Sequence, residues 1–227
     1  MSHEEEMRRP RYGGLLKTAV ICAVAAASGA CSAPPPATDE SLIAEVQQFR
    51  SGKDRAFASD SSPVPADRRD ELLPLAYYPP SLEYQVPAVL RPEPDRQTIE
   101  MPTSTGQIRQ MVRVGRLEFT LKGQPRTLSA FVESGARDFS RLFVPFADLT
   151  SGSETYPAGR YLDLDRTATG LYVIDFNRAY NPFCYYDPRY DCPFPPRENR
   201  LPVPVKAGEK TKTESTIREE EVEGIGS

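Results

Sequence analysis

The side chains best equipped for chemistry crowd into positions 154–200. Carboxylates (Glu154, Asp163, Asp175, Glu198), guanidiniums (Arg160, Arg178, Arg200), amides (Asn177, Asn181, Asn199) and phenols (Tyr156, Tyr161, Tyr180, Tyr185, Tyr186) alternate with prolines. Arginine's planar fork pairs with a carboxylate or with an anionic ligand. Tyrosine offers a flat apolar face with a polar tip, and asparagine amides satisfy loop backbone. One reading is a pocket in which Arg160 or Arg178 meets an anionic group while tyrosines stack on an apolar part. Its ligand-binding residues are Glu154, Tyr156, Arg160, Tyr161, Asn177, Arg178, Tyr180, Asn181, Glu198, Asn199 and Arg200. The other reading is a hydrogen-bonded scaffold that stiffens long loops, since buried charges need partners. Glu154 and Asp175 are also candidate catalytic carboxylates, general acid and base of a hydrolase. A glycosidase needs such a pair ~5 to 9 Å apart, and their chain spacing does not show that they converge.

Histidine limits that chemistry. The chain has 1 histidine, His3, near the N-terminus. Removal of about 30 residues ahead of Cys31 would leave none, which excludes a Ser-His-Asp triad and a Cys-His dyad. Cys184 and Cys192 would be the remaining soft ligands, too few for a common zinc site. Asp163 and Asp165 lack the spaced oxygen ligands of a calcium loop. No metal and no cofactor is implied. In an exported protein Cys184 and Cys192 read as a disulfide, worth ~2 to 3 kcal/mol in the chain-entropy model; free thiols with redox work are the alternative.

Export is itself legible. Arg8, Arg9, Arg11 and Lys17 give a basic start, Thr18 to Ala27 is uncharged and alanine-rich, and Ser28-Gly29-Ala30 precedes Cys31. Basic, apolar, small is the order of a signal peptide, here 1–31. Small residues before a cysteine resemble a bacterial lipobox, although Ser28 stands where leucine is usual. Cys31 is thus the expected lipidation site and a membrane the expected partner through it. This places the protein in the bacterial cell envelope, on the periplasmic or extracellular face, with simple secretion as the alternative. With 28 basic and 32 acidic residues the net charge is -4, which argues against a nucleic-acid surface.

The positioning elements follow from periodicity. A Pro-rich tether, 32–38, leads into a helix over about 38–59, with Asp39 as cap and Leu42, Val46 and Phe49 on one face. Alternating runs predict strands at 86–90, 108–114, 116–122, 128–133, 141–145, 160–164 and 172–176, with Gly115 and Gly123 as turns. These elements predict a single domain over 39–208, mainly β: an antiparallel sandwich or partly open barrel with an N-terminal helix and long Pro-rich loops. A charged tail, 209–227, is expected to be disordered.

The strings ETYPAGRYLDLD (154–165), DFNRAYNPFC (175–184) and CPFPPRENRLPVPVKAGE (192–209) carry a family resemblance. So do Phe49-Arg50-x-x-Lys53-Asp54 and Thr103-Ser104-Thr105-Gly106. They resemble the bacterial domain-of-unknown-function family 1684, which implies a domain type and no catalytic residue. The functional expectation is an envelope lipoprotein that binds a small molecule or peptide at the polar, Tyr/Arg-rich loops. A histidine-independent hydrolase with paired carboxylates and a non-catalytic structural or interaction module are the alternatives.

Overall fold

The computed structural model describes residues 38–136 and 140–212. The signal and lipid-attachment residues, the tether before Thr38 and the chain from 213 onward lie outside them.

Helix α1 (Asp39–Phe57) starts at a capping box: Thr38 accepts from the Ser41 amide, and the Ser41 side chain accepts from the Thr38 amide. Thr38, not Asp39, is therefore the cap, and Asp39 and Glu40 sit in the first turn, where the helix dipole favours negative charge. Leu42, Val46 and Phe57 are buried at helical spacing. After short helix α2 (Arg69–Leu72) the chain enters a sheet.

The strands are β1 (Gln85–Pro92), β2 (Thr98–Pro102), β3 (Ile108–Leu121), β4 (Gln124–Glu133), β5 (Arg141–Phe146), β6 (Arg160–Asp165) and β7 (Leu171–Asp175). They form one 7-stranded sheet in the order β6-β5-β4-β3-β1-β7, with β2 beside β3. Every pairing is antiparallel. The sheet curls until its two end strands, β6 and β7, flank a common cavity, which makes a nearly closed barrel. Alternation drives this: Leu117, Phe119 and Leu121 of β3 are buried, while Arg116, Glu118 and Thr120 face solvent. Val86, Leu128, Leu142, Leu162 and Ile174 extend the same core around the barrel.

Gly123 does make a turn. Lys122 (φ 51) and Gly123 (φ 72) both lie in the left-handed region, the requirement of a two-residue hairpin with the twist of its strands. Gly115 does not: β3 runs through it with a register shift between Arg113 and Gly115, and a Cβ there would lie 2.3 Å from Arg91 O. Bulge and close approach explain that glycine. Strand β2 alternates too, with Ile99 and Met101 turned inward and Thr98, Glu100 and Pro102 outward, but its 5 residues are too few for the pattern to stand out in the sequence.

The domain continues past residue 208. Glu209 is buried: its carboxylate takes Lys53 of α1, the Tyr186 hydroxyl and the Asn181 amide. That carboxylate ties the chain end to the first helix, so 209–212 belong to the folded unit and not to a disordered tail. No helix among the described residues is long and apolar enough to cross a membrane.

Candidate functional site

Strands β6 and β7 are consecutive and antiparallel in direction, yet they do not pair. They are tied at one end by the chain between them and at the other by Tyr161 and Tyr180. There the Tyr161 amide donates to Tyr180 O (2.8 Å) and the Tyr180 amide to Tyr161 O (3.0 Å). Between the ties is a seam. Alternation fixes which peptide groups face it. On β6 the Arg166 amide donates to Ser140 O, so even-numbered residues bond β5, and Asp163 and Asp165 turn theirs to the seam, in line with Tyr161. On β7 the Leu90 amide donates to Gly170 O, so Tyr172 and Ile174 bond β1, and Val173 and Asp175 turn to the seam.

The seam opens on a cavity of about 1210 Å³. Its apolar walls include buried Ala88, Phe119, Leu162, Leu164 and Tyr172 together with the more exposed Pro87, Val89, Leu171 and Val173. Its rim carries Phe49, Arg141, Asp163, Asp165, Asp175, Arg178 and Tyr180. The Arg178 guanidinium lies 3.3 Å from Asp175 and over the Phe49 ring at 5.3 Å. Tyr180 donates to Asp163 (3.0 Å); burial, then the Asp163 charge, pushes its phenol up, so it stays protonated as a donor. A large, largely apolar hollow with a few polar groups on its rim is the usual form of a small-ligand site.

The eleven expected binding residues divide into two groups. Arg178 and Tyr180 reach this cavity. Tyr161 and Tyr180 line a second hollow of about 640 Å³, which also touches Arg109, Phe143, Phe183 and Cys192. The Tyr161 hydroxyl is spent on Pro193 O (2.6 Å), and burial pushes its phenol up. The others do structural work or sit apart. Arg160 is 0 % exposed and lines neither hollow. It holds Asp148 (2.8 Å) and clamps the backbone carbonyls of Val205, Ala207 and Glu209. It cannot greet an anionic ligand from that position.

The buried asparagines replace missing ladder bonds. Strands β4 and β5 share one pair, Phe131 with Phe143. Where they splay, Asn199 accepts from the Ser129 amide and donates to Ser129 O and Pro145 O, bridging both strands. Asn177 accepts from the Ser81 amide and returns a bond to Ser81 O. Asn181 donates to Lys210 O. Glu154 pairs with Lys206 (3.1 Å), and Glu198 with Arg113 (3.4 Å). Tyr156 packs edge-on against Tyr185, and Arg200 is exposed, its backbone paired beside Ala147. Asp175 lines the seam cavity and Glu154 does not, so the two candidate catalytic carboxylates are not gathered in one hollow.

The expected Cys184–Cys192 bridge is not formed: both are free, buried thiols. Each sulfur is engaged otherwise. The Cys184 amide donates to Cys192 Sγ (3.2 Å), and Tyr156 Oη lies 3.7 Å from Cys184 Sγ. A hydrogen bond with Cys192 pulls the Cys184 thiol below the ordinary thiol range, with burial opposing and Tyr156 assisting. The same bond, with burial, pushes Cys192 up.

Phe49 was read only as part of a helix face, and Phe119, Arg141 and Leu164 only as strand residues, none of them as part of a site. One signal could have found the seam: Leu171-Tyr-Val-Ile174 is apolar at every position, not alternately. A strand with two apolar faces needs a cover on both. Leu171 and Val173 instead remain 60 % and 58 % exposed.

No curated protein matches the chain. An uncharacterized protein of Haloarcula marismortui, solved in solution by NMR, is similar to it: 34% sequence identity and a TM-score of 0.61, covering 78% of this chain and 100% of that one. The profile of the family described as protein of unknown function (DUF1684) matches residues 71–210, the span that contains the barrel, the seam and the asparagine braces. The chain belongs to the DUF1684 family.

Proposed function

We propose that this protein is a non-catalytic binding module of the bacterial cell envelope, anchored through lipid on Cys31, that takes its ligand in the hollow at the open seam of the barrel. The observation that carries the reading is the cavity of about 1210 Å³ between the two unpaired end strands. An apolar wall beneath a charged rim suits a ligand with an apolar body and a polar edge. The basic, apolar, small-residue order ahead of Cys31 supports the address. A carboxylate hydrolase is disfavoured because Glu154 lies outside the cavity that holds Asp175.

A neutral apolar dye, N-phenyl-1-naphthylamine, tests the site by fluorescence. Saturable binding is expected. Ala88→Phe, which fills the hollow from β1, should weaken it at least about tenfold, a loss of about 1.4 kcal/mol. Binding that is absent, or indifferent to Ala88→Phe and to Leu164→Phe in folded protein, would end the reading.

A further inference from the structure

The seam has a feature that a hollow for a small molecule does not require: two strand edges face it with their hydrogen-bonding groups turned inward. Asp163 and Asp165 on β6, and Val173 and Asp175 on β7, present amides and carbonyls at strand spacing. Leu171 differs, because its carbonyl takes the Thr167 hydroxyl and its amide the Thr169 hydroxyl, which closes the ladder at that end. The Tyr161–Tyr180 bridge closes the other. A third strand between them would complete the barrel, and open edges are templates for strand addition.

We infer that the seam accepts an extended, basic peptide segment of another protein, added as a strand between β6 and β7. This rests on the seam being the ligand site. Because β6 and β7 run in opposite directions, the guest lies parallel to one and antiparallel to the other. Its inward side chains meet Phe119, Leu164 and Tyr172, so alternate guest residues are apolar. Its outward side chains lie between Asp163 and Asp165 on one flank and exposed Leu171 and Val173 on the other. Lysine and arginine fit both, since an aliphatic stem covers the apolar flank while the cationic head reaches a carboxylate.

The charge of the walls selects the same guest. The cavity lining includes the carboxylates Glu118, Asp163, Asp165 and Asp175 and the guanidiniums Arg141 and Arg178. Glu118 faces outward and is paired with Arg91 (2.8 Å), so Asp163, Asp165 and Asp175 leave a surplus of one negative charge over the two arginines. The Arg141–Asp165 pair is exposed and weak enough to rearrange, whereas Asp175 is buried and held by the Asn177 amides as well as by half-exposed Arg178. The chain's own C-terminal residues 213–227 carry Glu214, Glu219, Glu220, Glu221 and Glu223 against Arg218 alone. Like charge therefore disfavours that segment as the occupant.

The test uses the full chain, isotope-labelled for NMR, and capped peptides alternating lysine and valine. Shifts along β6 and β7 are expected. Methylating alternate peptide amides, which removes backbone donors and keeps every side chain, should weaken binding at least about tenfold. Exchanging lysine for glutamate should do the same, as should Asp163→Lys in protein whose melting temperature is kept. Equal binding of the methylated peptide would overturn strand addition. Equal binding of the acidic peptide would overturn the basic guest and admit the chain's own tail. Dye binding without any peptide binding would overturn the inference and leave the cavity reading standing; loss of both would remove the two together.

Discussion

Arg160 and Arg178 show how one residue type serves opposite ends. Arg160 is enclosed with Asp148 and three backbone carbonyls, while Arg178 is 46 % exposed at the cavity rim. Truncating one member of a buried ion pair strands the other charge, at a cost of about 3 to 5 kcal/mol. Arg160→Ala should therefore lower the melting temperature sharply in calorimetry. Arg178→Ala should change stability by no more than about 0.5 kcal/mol, yet weaken dye binding by opening the rim beside Phe49. Equal melting temperatures for the two variants would contradict this division. The thiols offer a second residue-level test. A thiol whose pKa is lowered keeps more thiolate as pH falls, and the thiolate is the nucleophile. Alkylation of Cys184 by iodoacetamide should persist below the ordinary thiol range of ~8.5, while Cys192, pushed up, stays unmodified. Peptide mass mapping across pH reads both sites, and the reverse order of reactivity would refute the assignment.

At the scale of elements, the barrel is closed by side chains where its ladders stop. Asn199 wedges the splayed β4–β5 pair, Asn177 holds Ser81, and Glu209 anchors α1 through Lys53. The turn into β6 is equally constrained. Gly159 has φ +95, and a Cβ there would lie 2.4 Å from Phe146 O and 2.9 Å from Pro195 Cγ. Gly159→Ala must both adopt a left-handed backbone and push β5 away. Its expected cost is more than about 1 kcal/mol, read as a lower denaturant midpoint at unchanged slope; an unchanged midpoint would show that the β5–β6 junction yields freely.

For the whole molecule, the barrel and the proposed lipid anchor make separable claims. A diacylated Cys31 gains ~0.8 kcal/mol per buried methylene, enough with two chains for stable membrane attachment. Cys31→Ala should shift the protein from the detergent phase to the aqueous phase in Triton X-114 partitioning while the melting temperature stays the same. Unaltered partitioning would reject the anchor and leave the seam untouched.

Local pattern alone carried the fold class. Period-2 runs such as Arg116 to Leu121 specify half-buried strands, and Lys122-Gly123 specifies a tight hairpin, because alternation and positive φ are properties of a few neighbouring residues. The polar segment from Glu154 to Arg200 was also conspicuous, but its division was not. Whether a guanidinium points to solvent or to a distant carbonyl is set by contacts such as Arg160 with Ala207, 47 residues away. The seam was invisible for the same reason: two strands adjacent in sequence read as a pair, and only the closure of the sheet from β6 round to β7 decides that they stand apart.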